Sequence, residues 1–176
     1  MGKESVANAL ARKRSLNLKK VVTATTRAKR PYEVEGKHFY FFTSEEFQRR
    51  IKKGFFLEWA VHSGNRYYGT PIREVRRALQ EKKHILLNID VQGATQVVKK
   101  CPDAVRIFIK PDSVGALRRR MEQAGFTRDQ IAARLQDAKR ELHAARDYDY
   151  VVVNREGELR QAIARVAAII KKEISE

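Results

Sequence analysis

Two arginines three residues apart, Arg27 and Arg30, follow the β-branched run Val21-Val22-Thr23-Ala24-Thr25-Thr26. Valine and threonine suit an extended strand. Guanidinium forks on the loop beyond it can converge on one anionic group, so the pattern describes a candidate phosphate clamp. Its alternative is a solvated basic turn, a common feature of so basic a chain. Three further stretches carry side chains of interest: Phe56-Leu57-Glu58-Trp59, Gly64-Asn65-Arg66-Tyr67-Tyr68-Gly69-Thr70 and Ile89-Asp90-Val91-Gln92-Gly93-Ala94. Taken singly, each has a plain reading. Tyr68 would be a half-buried aromatic, Glu58 an exposed strand-end acid, and Asp90 a helix cap before Val91-Gln92.

These residues need a scaffold, and 176 residues with 43% hydrophobic content suffice for one well-packed domain. The formal charge of +16 implies attraction to nucleotides, nucleic acid or anionic surfaces without saying which. With no RNA-recognition signature and no zinc spacing, general nucleic-acid binding is a minority reading. The single Cys101, just before Pro102, cannot form an internal disulfide and reads as a structural or tolerated thiol. No apolar segment is long enough to cross a membrane or serve as a secretory signal, so a cytosolic (cytoplasmic) protein is expected, with no membrane partner.

Hydrophobic periodicity predicts helices over 4–14, from Ser44 to Gly54, from Pro71 with Val75, Ala78 and Leu79 inward, over 113–123, from Thr127 to about Arg146, and from Glu158 onward. Thr43 with Glu46 and Thr127 with Gln130 have capping-box spacing. Val21 to Thr26 and Lys37 to Phe42 read as extended. The apolar runs 85–90, 105–109 and 150–153, separated by helices, indicate buried parallel strands of an α/β sheet.

In order and spacing, T-T-R-x-x-R, F-L-E-W, Y-Y-G-T and I-D-V-Q-G-A resemble guanylate kinase, from about Gly2 to the C-terminus. The resemblance implies a P-loop nucleoside-monophosphate-kinase-like parallel sheet with a GMP-binding flap and a lid. The chain would be a single domain over 1–176, with its core at 1–26, 81–111 and 147–176, the flap at 27–80 and the lid at 112–146. Arg27, Arg30 and Tyr68 would hold the phosphate of GMP. Glu58 would accept from N1–H and the exocyclic amine of guanine, with Thr70, Asp90 and Thr23 as the remaining base contacts. Lys3, Arg120 and Arg134 would serve the transfer of phosphoryl from ATP, accompanied by Mg²⁺; no metal ligand is assigned.

The chain also departs from the pattern it resembles. Met1-Gly2-Lys3-Glu4-Ser5 matches only the tail of a phosphate-binding loop, so the first strand and first glycines are expected to be missing. That would leave a gap in a sheet of order 2-3-1-4-5. Either the halves close up, a partner supplies a strand, or the sequence is a shortened form. Glu4 stands where a hydroxyl would meet Mg²⁺, Asn88 replaces an acid, Ala124 falls where the lid would carry arginine, Phe39 replaces a phosphate-binding tyrosine, and Arg66 looks inserted. The expectation is GMP recognition, with ATP-dependent transfer impaired or lost. A non-catalytic module that binds phosphorylated peptide through the same clamp is the alternative.

Overall fold

The computed structural model describes residues 2–62 and 64–175; Met1, at the head of the Gly2-Lys3 stretch, lies outside them. In chain order the elements are α1 (Lys3–Ala11), β1 (Leu18–Lys20), β2 (Thr23–Thr25), β3 (Phe39–Phe41), α2 (Ser44–Lys52), β4 (Phe56–His62), β5 (Arg66–Pro71), α3 (Ile72–Gln80) and β6 (His84–Leu86). They continue with α4 (Val91–Lys100), β7 (Ile107–Pro111), α5 (Val114–Gln123), α6 (Arg128–Ala144), β8 (Tyr150–Asn154) and α7 (Leu159–Ser175). Two compact units divide these elements, one of residues 17–104 and one of 1–16 with 105–176.

In the 17–104 unit the expected strand 21–26 is shortened to β2 at Thr23–Thr25, and a separate short strand, β1, precedes it in a different sheet. β1 pairs in parallel with β6, whereas β2 joins a mixed four-stranded sheet of order β3-β2-β5-β4. The chain leaves one sheet for the other at Val21-Val22, so the first two residues of the β-branched run form the connection and only its later part is a strand. The apolar run 85–90 is likewise extended only as far as Leu86, because Asp90 turns the backbone into α4.

The core of that mixed sheet is aromatic. Phe47 of α2 is fully buried and stacks on Phe56 of β4, with ring centroids 4.3 Å apart, and Ala24 completes the buried cluster. Gly69 is required by this packing: a Cβ there would press on the Glu58 carbonyl and both rings, each at 3.0–3.1 Å. α2 starts at Thr43, whose hydroxyl accepts from the Glu46 amide at 3.1 Å; Glu46 itself pairs with Arg50 instead of closing the box. Leu79, expected inward on α3, is 59% exposed, and Ala78 takes the buried position.

Helix α4 lies along the outer edge of β4. Gln96 donates to the Trp59 carbonyl at 2.6 Å and accepts from its amide at 3.2 Å, Gln92 reaches the Val61 carbonyl at 3.4 Å, and Lys100 donates to the Leu57 carbonyl. The spacing explains the match. Four helical residues rise about 6 Å and two strand residues advance about 6.7 Å, so positions 92, 96 and 100 meet 61, 59 and 57 in turn. The helix thus satisfies an exposed strand edge through its side chains.

In the other unit β7 and β8 form a parallel pair. Leu117 and Met121 of α5 pack on Ile131 and Leu135 of α6, which opens with both halves of the Thr127–Gln130 capping box. Val6 and Leu10 of α1 and Ala162 and Val166 of α7 are buried. No helix among the described residues is long and apolar enough to cross a membrane.

Phe47→Ala should lower stability by about 3–5 kcal/mol in denaturant unfolding, the usual cost of emptying a buried aromatic site. A loss under about 1 kcal/mol would mean that the cluster does not hold the sheet together.

Candidate functional site

Strand pairing places Glu58 opposite Thr70 across β4 and β5, and the Thr70 hydroxyl donates to Glu58 Oε1 at 2.6 Å. Both are buried, Glu58 at 3% exposure, so the exposed strand-end reading does not hold. A buried carboxylate is costly unless donors meet it. Its two oxygens together accept several donors, the chemistry needed for a pair of adjacent N–H groups on a flat base. Gly93 opens the way: a Cβ at that position would fall on Glu58 Oε2. The glycine of I-D-V-Q-G-A is therefore imposed by the carboxylate of F-L-E-W.

Asp90 is the N-cap of α4, accepting from the Gly93 amide at 2.9 Å through Oδ1. Its Oδ2 lies 3.2 Å from His62 Nε2. The cap reading is thus realised, and it fixes the carboxylate beside the same helix turn that approaches Glu58. Tyr68 shares their sheet face, two residues from Thr70, and meets the His62 ring edge-on at 5.1 Å.

Around the clamp, Thr25 and Thr26 anchor the loop. Thr25 donates to the Tyr67 carbonyl at 3.0 Å and accepts from the Arg27 amide at 3.1 Å, while Thr26 accepts from the Tyr67 amide. Arg27 makes a two-pronged pair with Glu33 at 2.7 and 3.0 Å and donates to the Ala28 carbonyl at 2.6 Å. The Arg30 amide also donates to Glu33, at 2.8 Å, and its guanidinium to the Tyr32 hydroxyl at 2.8 Å. Hydrogen bonds from Arg27 hold the Glu33 carboxyl down at about 2. Glu33, and to a lesser degree Tyr68, raise the pKa of Arg27 in return, against its partial burial.

Phe39 lies on the clamp face, 6.3 Å from the Tyr68 ring with the Arg27 guanidinium 5.4 Å from its centroid. Tyr40 points the other way and donates to Glu74 at 2.8 Å. Thr23 of β2 pairs in register with Phe39. The GMP candidates Thr23, Arg27, Arg30, Glu58, Tyr68, Thr70 and Asp90 therefore all belong to the 17–104 unit.

The donor-side candidates belong to the other unit. Lys3 is the first residue of α1, behind Gly2 at φ 108°. Arg120 donates to the Asn154 carbonyl at 2.9 Å and lies 3.8 Å from Asp112. Arg134 is exposed on α6. Among the described residues, no three His, Cys, Asp or Glu cluster as a metal site.

Sequence reasoning missed Glu33, His62 and the 92-96-100 stripe. An acid three residues after Arg30 was a usable signal for the first, and polar residues spaced by four on a helix for the last. His62 carried no signal, because only strand register brings it to Asp90.

Comparison with known proteins identifies the family. The guanylate kinase family model matches residues 1–173. The guanylate kinase of Halalkalibacterium halodurans is 44% identical over 174 residues, covering 98% of this chain and 83% of the relative. That of Lactococcus lactis is 45% identical over 158 residues, covering 89% and 76%. A crystal structure of guanylate kinase from Anaplasma phagocytophilum superposes with TM-score 0.77 at 34% identity, over 97% of this chain and 81% of that one. The fold is thus a mixed α/β one with parallel sheet elements. The chain belongs to the guanylate kinase family.

Because the Glu33 carboxyl titrates at about 2 when folded against an ordinary 4.5, the folded state binds fewer protons between those values. Its stabilising effect is complete above 4.5 and is lost as pH falls through about 2. Glu33→Gln should therefore be less stable than wild type near neutrality, with the difference shrinking on acidification. A difference independent of pH, followed by denaturant unfolding, would contradict the ion pair.

Proposed function

We propose that this protein binds GMP within residues 17–104 and passes to it the γ-phosphoryl of Mg·ATP, giving GDP and ADP. Glu58 accepts from guanine N1–H and the exocyclic amine, Thr70 orients that carboxylate, and Asp90 and Thr23 border the base. Arg27, Arg30 and Tyr68 hold the phosphate. The buried Glu58–Thr70 bond supports the reading: a phosphopeptide would need the arginines, but it would have no use for a buried carboxylate held by Thr70.

Lys3, Arg120 and Arg134 are the proposed donor-side groups, with residues 112–146 as lid, 27–80 as flap and the rest as core. Phosphoryl transfer asks the protein for positioning and charge stabilisation more than for covalent chemistry. The reading puts any shortfall in rate on this side, since Arg120 already spends a donor on the Asn154 carbonyl. The reaction belongs in the cytoplasm, where Mg·ATP and GMP meet.

GDP formation from GMP and Mg·ATP, with AMP as the control acceptor and cooperatively melting protein, tests the proposal. Turnover selective for GMP is expected. GMP binding without turnover would remove the transfer step, and equal use of AMP would overturn the base-reading role of Glu58.

A further inference from the structure

Beside the clamp a cavity of about 460 Å³ is lined by Thr26, Arg27, Arg30, Ser44, Asn65 and Arg66. Arg66 opens β5 in register with His62, two residues before Tyr68 and four before Thr70. Side chains alternate along a strand, so Arg66 continues the face that carries those two residues. Its guanidinium bends back over the turn, with Nε 3.5 Å from where a Cβ on Gly64 would stand. Arg66 is exposed and has no ion pair among the described residues.

Three guanidinium groups around one cavity repel one another. Glu33 is ion-paired to Arg27 and also lies close enough to Arg30 to feel its charge, so one carboxylate faces two guanidinium groups and Arg66 has no ion pair among the described residues, leaving an excess of positive charge. That excess suits a phosphomonoester, which carries about −1.5 to −2 charges at neutral pH. A single surface arginine would be an ordinary solvated side chain. One that completes a cavity wall with two others, on the face already occupied by Tyr68, is a binding group.

We propose that Arg66 is a third arginine of the anion site and donates to the phosphate that Arg27 and Arg30 hold. The inference rests on the clamp reading given above and adds to it a residue outside the four motifs. Being solvated, Arg66 also contributes attraction at a distance, which added salt screens.

Calorimetric titration with GMP and with guanosine, using wild type, Arg66→Gln and Arg66→Lys, tests it. Arg66→Gln should weaken GMP about tenfold at low salt, the discounted value of an exposed charge-assisted bond, and leave guanosine unchanged. Arg66→Lys should recover part of the loss, and the deficit should shrink as salt rises. The exposed position keeps melting temperatures equal. Unchanged GMP affinity in Arg66→Gln, or equal losses for GMP and guanosine, would overturn the role while leaving the GMP reading intact. Failure of wild type itself to bind GMP would overturn the clamp reading, and this inference with it.

Discussion

The candidate site depends on one seam, the line where α4 is laid along the edge of β4. Gln92, Gln96 and Lys100 take up the backbone groups of Val61, Trp59 and Leu57. This fixes the helix in both register and distance, so its first turn arrives at Glu58 with Asp90 as cap and Gly93 as the point of closest approach. An edge strand would otherwise expose donors and acceptors to any passing chain. Here the same groups locate the Glu58 carboxylate. The close contact leaves no room for a side chain at position 93, which makes the seam intolerant of substitution there.

The clamp is held by a different device. In the candidate clamp Glu33 orients Arg27 through a two-pronged ion pair in which the carboxylate is buried. Of the five N–H donors of Arg27, three are engaged in the bonds to Glu33 and Ala28, leaving two for the Tyr68 hydroxyl or an anion. Arg30 is less constrained, since Glu33 accepts from its amide and, among the described residues, its guanidinium donates to the Tyr32 hydroxyl without a two-pronged carboxylate partner. The site thus combines one pre-aimed arginine with less restricted ones. That arrangement limits the rotamer entropy lost on binding without making the wall rigid throughout.

Much of this was legible in the sequence. Thr43, Thr127 and Asp90 cap helices at the expected positions, because side-chain caps are local chemistry that spacing alone reveals. The four motifs gave the family. The change of sheet between Leu18–Lys20 and Thr23–Thr25 was not legible, because partner choice is decided by pairing with β6 and β5, far away in sequence. The burial of Glu58 was hidden for the same reason: exposure depends on α4, thirty-odd residues later. Leu79 shows the converse, an apolar residue at a helical period that the fold leaves in water.

The central claim is that a buried carboxylate reads the base, and the affinities of folded protein for GMP, IMP and AMP test it most directly. IMP keeps N1–H but lacks the exocyclic amine; AMP offers neither donor to that carboxylate. Each missing bond to a charged acceptor should cost about 1.5–3 kcal/mol, so affinity should fall from GMP to IMP to AMP by roughly tenfold or more per step. Equal affinity for GMP and AMP would show that Glu58 is a structural acid and that binding, where it occurs, is through phosphate alone.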